Sequence, residues 1–294
     1  MSAYQAFQIL DEGLIFGLVA FGIYIAFVWL RFPDLTPDGS FALGAGVFAL
    51  SVRRGYSPFV ALFMALIAAA IAGMCTALLN RIVRIPAVVA GLLIASALYS
   101  LNWLILGKPN QFIEPQSTLV GDVTGVLGAR NLAVWLFAII CLVSIMITAF
   151  SRTMWGLRTR AIGENGLLAR DLGLSETSYT VFGLALANAL VGLGGALFAQ
   201  RSFSADINMG VGITIAGLAG LLLGLLFVGR RRRISITLVF ILMGAIAYKI
   251  VFFISLELGV PAEAFRLISS SVLVAVFLAV SRTAVGLLKG LKWT

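Results

Sequence analysis

The chain has no histidine, two cysteines and only 11% charged residues in 294 positions. Without histidine there is no imidazole base, no Ser-His or Cys-His nucleophile and no His-based metal site. Cys75 and Cys141 each lie inside an apolar run, so they read as small core residues and not as a disulfide or a metal site. The scarcity of charge excludes more. A soluble domain carries roughly 25% charged and about 45–50% apolar residues, whereas this chain is 61% apolar with a mean hydropathy of +1.07. A soluble enzyme of this size could not bury so much apolar side chain, and disorder is excluded by the same numbers. A β-barrel needs alternating polar and apolar positions in segments of about ten; the apolar runs here are continuous and longer. The fold class is therefore an all-α polytopic membrane protein. The net charge of +9 points to Arg-rich cytoplasmic loops and not to nucleic acid.

What is present is a series of apolar runs. A bilayer core needs about 20 residues per helix, and nine candidate spans fall at 12–31, 41–54, 58–80, 86–106, 131–150, 178–200, 209–228, 234–255 and 263–281. They form a single transmembrane domain over residues 1–294. No removable signal peptide is expected, because the first run is long enough to span and no basic segment precedes it. Arg81, Arg84, Arg152, Arg158, Arg160, Arg170, Arg230–Arg233, Arg282, Lys289 and Lys292 fall on one side of a nine-span chain. That side is cytoplasmic by the positive-inside rule. The N-terminus, with Asp11 and Glu12, falls outside and the C-terminus inside. Arg53 and Arg54 fit this orientation poorly.

Two spans are short and each follows a polar stretch. Pro33-Asp34-Leu35-Thr36-Pro37-Asp38-Gly39-Ser40 precedes the second, and Ser202–Asn208 precedes the Gly-rich seventh. In a nine-span chain these two helices run in opposite directions, the pattern of an inverted repeat with broken helices beside a pathway. Gly39 is expected to supply a backbone shape closed to other residues.

The longest internal polar segment is 151–177, SRTMWGLRTRAIGENGLLARDLGLSET. Asn165 can cap a helix over 166–172, and Gly173 suits the left-handed position that ends it. Leu168 and Leu172 share one face, Leu167 flanks it, and Arg170 and Asp171 point elsewhere. Such a helix can dock into a soluble partner, or simply rest on the headgroups.

Gly156-Leu157-Arg158-Thr159-Arg160-Ala161-Ile162-Gly163-Glu164-Asn165, followed by Ala169-Arg170-Asp171-Leu172-Gly173-Leu174, closely resembles the coupling loop of ABC importer permeases of the branched-chain amino acid and ribose type. Gly192–Leu197 is similar to the family's next span. Pro33–Phe41 is similar to a signature of the branch that handles tryptophan, tyrosine or unassigned substrates; Pro37 departs from it, where a β-branched residue is expected. The resemblance implies a homodimer, two cytoplasmic ATPase subunits, an extracytoplasmic substrate-binding protein and a place in the bacterial inner membrane. It implies no catalytic residue, metal or cofactor in this chain, which lacks a Walker A pattern; ATP and Mg²⁺ sit on the partner ATPase. It assigns ATPase coupling to Arg158, Arg160, Gly163, Glu164, Asn165, Leu167, Leu168, Arg170, Asp171, Leu172 and Gly173. The implied function is import of a small organic solute, most simply an aromatic or branched-chain amino acid, with a sugar, nucleoside or other small solute as the alternative.

Candidate residues for the translocation path are Asp34, Asp38, Ser40, Phe41, Tyr99, Asn102, Trp103, Asn188 and Asn208. Each has a plainer reading. Asp34 and Asp38 are expected at the cytoplasmic edge, with Asp38 or Ser40 capping the helix that follows. Tyr99 and Trp103 suit an interfacial belt, and Asn188 a bond across helices. Gly183, Ala187, Gly192 and Gly195 permit close helix contact. Lys249 is expected to snorkel to the headgroups, with Glu257 as its alternative partner. The 107–129 segment, with Lys108, Gln111, Glu114, Gln116 and Asp122, offers a landing surface for a binding protein. A membrane-embedded enzyme would need convergent ionisable groups. An ion-coupled transporter would need mid-membrane carboxylates, and none is expected.

Overall fold

The computed structural model describes residues 3–119, 125–228, 233–259, 267, 269–275 and 278. Helix α1 (Ala3–Ile23) continues into a π-helical turn at Tyr24–Trp29. Then come α2 (Pro37–Arg53), α3 (Pro58–Arg81) and α4 (Ala87–Leu106). A short strand β1 (Asn110–Phe112) leads to α5 (Gly125–Arg152) and two short helices, α6 (Met154–Glu164) and α7 (Gly166–Asp171). Helix α8 (Glu176–Ser202), strand β2 (Ser204–Asp206), α9 (Ile213–Leu226) and α10 (Ile234–Glu257) follow. Six helices among the described residues are long and apolar enough to cross a membrane: Gln5–Trp29, Pro58–Arg81, Ala87–Leu106, Arg130–Arg152, Glu176–Ser202 and Ile234–Glu257. The fold is thus all-α and polytopic. The expected short spans are α2 and α9; the ninth, 263–281, lies largely outside the described residues.

Sequence dictates which helices sit inside. From Gly13 on, helix α1 is apolar on every face, which marks a helix buried all round, and Leu14, Ile15, Leu18, Val19, Phe21 and Ile23 are indeed buried. Helix α8 is the other central helix. Its small residues let neighbours approach to backbone contact. Gly192 abuts Ala69 of α3, Gly195 the Phe41 carbonyl of α2, Gly183 the Leu30 side chain, and the Ala187 carbonyl meets Gly22 of α1. Helices α3, α4 and α5 instead expose large apolar side chains such as Phe63, Ile71, Leu92, Leu104, Phe137 and Ile145. Cys75 is on this exposed surface and Cys141 is half-buried, so neither is a core residue as expected.

The two short helices meet head to head inside the bundle. After Arg31 the chain turns back through 32–36 and enters α2 at Pro37, whose ring suits the first helical turn. At the opposite end β2 pairs antiparallel with β1, Asn110 opposite Asp206 and Phe112 opposite Ser204. The chain then descends along α2: Ala205 and Ile207 pack with Phe48, Ala49 and Val52, and Gly210 lies against Asp38. Helix α9 starts only there. At 14 residues it spans about 21 Å, short of a bilayer core of about 30 Å. Gly210 has no room for a Cβ beside the Asp38 carbonyl, and Gly212 turns the chain with φ +87°.

Gly39 corrects one expectation. It is helical, with no left-handed backbone; what excludes a side chain is packing, because a Cβ there would lie 2.8 Å from Leu98 Cδ1 and 3.1 Å from Ala95 Cα. At Gly46 the nearest atoms are 3.6 Å away. Overpacking costs about 1–3 kcal/mol. Gly39→Val should therefore lower the melting temperature of the purified chain, followed by tryptophan fluorescence, while Gly46→Ala should leave it nearly unchanged. Equal melting of the two variants would contradict the packing account.

Candidate functional site

The first functional feature is the junction of α2 and α9. The first N–H groups of any helix lack intrahelical partners, and inside a membrane protein they must find them elsewhere. Asp38, in the first turn of α2, supplies them to α9. Its Oδ2 accepts from Gly212 N (3.1 Å), and its Oδ1 accepts from Thr214 N (2.8 Å) and Thr214 Oγ1 (2.6 Å). Asp38 was expected to cap its own helix; it caps another, 174 residues away. The carboxylate also faces the positive end of the α9 dipole, where a negative charge is favoured.

A second network lies beside it. Asp34 Oδ1 accepts from Thr36 N (2.9 Å), and Asp34 Oδ2 accepts from Asn188 Nδ2 (2.8 Å). Asn188 Oδ1 accepts from Ser40 Oγ (2.7 Å), and its Nδ2 also reaches the Leu184 carbonyl (3.1 Å). Thr36 and Thr76 share a 2.6 Å hydroxyl contact, and Thr76 donates to the Ala72 carbonyl. All five side chains are buried. The network ties the 32–36 turn and α2 to α3 and α8. The carboxylates are thus not at an edge: Asp34 is fully buried, and Gly39, next to Asp38, lies level with Leu98 near the middle of α4. The expectation of no carboxylate inside the bundle fails as well. Both are committed to fixed donors, which fits a structural part better than an ion carrier.

The other path candidates separate. Phe41 is buried between Phe16 and Phe198, and Asn102 is buried with its amide 3.4 Å from the Gly39 carbonyl. Tyr99 and Trp103 are on the exposed face of α4, and Asn208 is exposed after β2, its N–H donating to Asp206 Oδ1. Thr36, Thr76 and Thr214 were missed. Thr36 stands in the polar stretch already noted, but Thr76 is a lone hydroxyl in an apolar run and gave no signal.

Lys249 does not snorkel. It is buried, 3.0 Å from Glu12 Oε2 and 3.6 Å above the Phe16 ring. Glu12 Oε1 also pairs with Arg201 Nη1 at 3.0 Å, so one carboxylate joins α1, α8 and α10. Asp11 beside it is buried too, so this acidic pair belongs to the bundle and not to a loose outer segment.

The second feature hangs on the opposite end of the bundle. Thr153 caps α6 through Gly156 N (3.2 Å), and Asn165 caps α7 through Leu168 N (3.1 Å). Gly173 is left-handed at φ +75°, as its position after the helix requires. Helix α7 turns Ala169 inward onto Ile162, Tyr179 and Leu174. It leaves Leu167, Leu168 and Leu172 at 75%, 54% and 71% exposure, and Glu164 and Asp171 are exposed around them. Helix α6 is its base. Gly163 meets the Trp29 carbonyl, Arg158 donates to the Tyr179 hydroxyl (3.0 Å), and Arg160 lies over the Trp29 ring and donates to the Ser151 carbonyl (2.9 Å). Trp29, Phe150, Phe182, Trp155 and Tyr179 form a continuous aromatic chain. Glu176 pairs with Arg81 at the end of α3 and with Arg170 of α7 (2.9 Å). Arg170, expected to contact a partner, thus already holds the platform together.

This geometry defines a polytopic helical membrane protein built around two opposed half-helices, with a short exposed helix braced on one end. The chain belongs to the family described as "Branched-chain amino acid transport system / permease component", which matches residues 5–279. It is 30% identical over 283 residues to the "Tyrosine transport system permease protein" of Clostridioides difficile, covering 96% of this chain and 93% of that one. It is also 30% identical to the "Autoinducer 2 import system permease protein LsrC" of an Enterobacter species, over 76% of this chain and 65% of that one. The solved structure of PsaBC from Streptococcus pneumoniae in complex with Fab shares the fold: TM-score 0.50, 16% identity, 92% of this chain and 89% of that chain covered. The chain is therefore an ABC permease of the branched-chain and ribose superfamily, a transport subunit and not an enzyme, and a multi-pass protein of the bacterial inner membrane.

The junction makes a testable statement. Asp38→Ala removes every acceptor that α2 offers to the α9 N-terminus. Loss of a cap costs about 0.5–2 kcal/mol, and stranded buried donors add about 1–3 kcal/mol. Asp38→Ala should lower the melting temperature clearly, whereas Asp171→Ala, on the exposed face of α7, should not. Similar melting of the two would show that the cap contributes nothing.

Proposed function

We propose that this chain is the membrane subunit of an ABC importer for an amino acid, working by alternating access. The observation that carries the reading is α7: three exposed leucines on a capped helix, braced through α6 and an aromatic chain onto α1, α5 and α8. A partner that moves α7 moves the bundle. In this reading two copies of the chain pair as a homodimer, each held by a cytoplasmic ATPase that binds ATP and Mg²⁺. An extracytoplasmic binding protein delivers the solute to the β1–β2 end. Residues 151–177 are the coupling loop. The exposed face of α4, with Tyr99 and Trp103, borders the path, and α4 is the least buried of the six long helices. The substrate class is supported by the family description and by the tyrosine system of the Clostridioides relative. The autoinducer 2 import system of the Enterobacter relative keeps a small solute other than an amino acid as the alternative.

We also propose nine spans, an inverted repeat relating α2 to α9, and a cytoplasmic α6–α7 end. Arg31, Arg81, Arg84, Arg152, Arg158, Arg160, Arg170 and Arg233 gather at or near that end, while Arg53, Arg54, Lys108, Arg130 and Arg201 belong to the other. The asymmetry favours this orientation by the positive-inside rule. In a chain freed of Cys75 and Cys141, single cysteines at Glu114 and at Asp171 should react with an impermeant thiol reagent from outside and from inside the cell respectively. Labelling of both from one side would refute the orientation.

The coupling role has its own test. Truncating a buried leucine costs about 2–5 kcal/mol in a core, and each 1.4 kcal/mol is about tenfold in binding. Leu168→Ala with Leu172→Ala should weaken co-purification of the ATPase by about tenfold or more and lower solute uptake in vesicles. The melting temperature of the permease should hold, because these side chains are largely exposed and belong to none of the buried clusters. Ile71→Ala, exposed on α3, is the control. Normal co-purification and uptake in the double variant would remove α7 as the coupling element.

A further inference from the structure

We propose that a cleft between α5, α6 and α10 holds the phosphate of an anionic phospholipid. The cleft has a volume of about 470 Å³ and is lined by Arg152, Arg160 and Arg233 with the hydroxyls of Thr148, Ser151 and Ser235. Among the described residues, none of the ion pairs involves any of the three arginines, and no carboxylate lines the cleft. Three guanidiniums lining one cleft without a carboxylate among its lining repel; an anion in the cleft relieves this. Guanidinium forks match phosphate oxygens in pairs. Arg160 is held in place from behind by the Trp29 ring and the Ser151 carbonyl. Helix α10 begins at the cleft with no side-chain cap, so its positive end adds to the field.

The surroundings choose a lipid over a soluble anion. The cleft lies at the C-terminal end of α5 and the N-terminal end of α10. One and about two turns along from Thr148, α5 exposes Ile145 and Leu142; one to two turns along from Ser235, α10 exposes Val239 and Met243. The polar cleft thus opens onto two apolar walls, a shape that takes a headgroup at one end and acyl chains at the other. Basic pockets between spans on the cytoplasmic side are where anionic headgroups bind.

The experiment is native mass spectrometry of the purified full-length chain, titrated with dioleoyl phosphatidylglycerol or with dioleoyl phosphatidylcholine. The anionic lipid should bind more tightly. R152Q with R233Q should weaken its binding by about thirtyfold and leave phosphatidylcholine unchanged. R53Q with R54Q, which removes two charges at the opposite end, should change neither. S235D places a carboxylate in the cleft and in the first turn of α10, where a negative charge is favoured, and it should abolish the preference for the anionic lipid. Equal binding of the two lipids, or a preference that survives S235D, overturns the site. A loss shared by R53Q with R54Q overturns it in favour of net charge. Displacement of phosphatidylglycerol by inorganic phosphate at matched concentration overturns the lipid assignment in favour of a soluble anion. Loss of ATPase co-purification in R152Q with R233Q, with lipid binding unchanged, overturns it in favour of a protein contact.

Discussion

A helix that begins inside a membrane protein must hand its first N–H groups to something other than water. Helix α9 begins there, and Asp38 takes them. Much of the bundle follows from that contact. For Asp38 to reach Gly212 and Thr214, α2 must start at the same depth as α9, so the chain before each helix must enter the bundle as non-helical backbone. For the two backbones to approach, Gly210 must lack a side chain. For the carboxylate to stay in place, α2 must be held, and the Asp34–Asn188–Ser40 network holds it to α8. Two half-helices with opposed N-termini are a common frame for a transport path, because they leave backbone dipoles facing the interior without a continuous helix in the way.

The same bundle is rigid toward one end and open to contact there. Gly163 brings α6 onto the Trp29 carbonyl at the end of α1, and the ring stack from Trp29 through Phe150 and Phe182 to Trp155 and Tyr179 fills the space between α1, α5, α6 and α8. Close-packed side chains transmit displacement because they leave little free volume. Helix α7 is braced on this stack through Ala169, which packs onto Ile162 of α6 and Tyr179 of α8. Glu176 adds a polar brace between α3 and α7.

Charge is placed for different ends. Glu12 holds Lys249 and Arg201 together away from α7, a contact among α1, α8 and α10 that removes three ionisable groups from the lipid-facing surface. A buried ion pair of this kind adds little net stability, since desolvation offsets attraction; its value is in fixing which helices touch. At the α6–α7 end the arginines outnumber the carboxylates among the described residues, and Arg152, Arg160 and Arg233, in none of the ion pairs described, line one cleft there.

Composition and local spacing alone determined the all-helical membrane class, the half-helices after the two polar stretches, the Asn165 cap, the Gly173 stop and the small-residue seam of α8. Each is a property of neighbours within about one helical turn, or of the mean polarity of a run, and needs no knowledge of where distant segments lie. The tertiary structure alone decided the partners of Asp38, Asp34 and Lys249. A capping carboxylate reads the same whether it serves its own helix or one 174 residues away, and a lone lysine in an apolar run reads as snorkelling until a glutamate in another helix is seen beside it. The same holds for Thr76, Cys75 and Gly39. Whether a hydroxyl is paired, a thiol faces outward or a glycine is excluded by packing depends on the neighbour across the interface, and that neighbour is set by how the helices pack, not by residues adjacent in the chain.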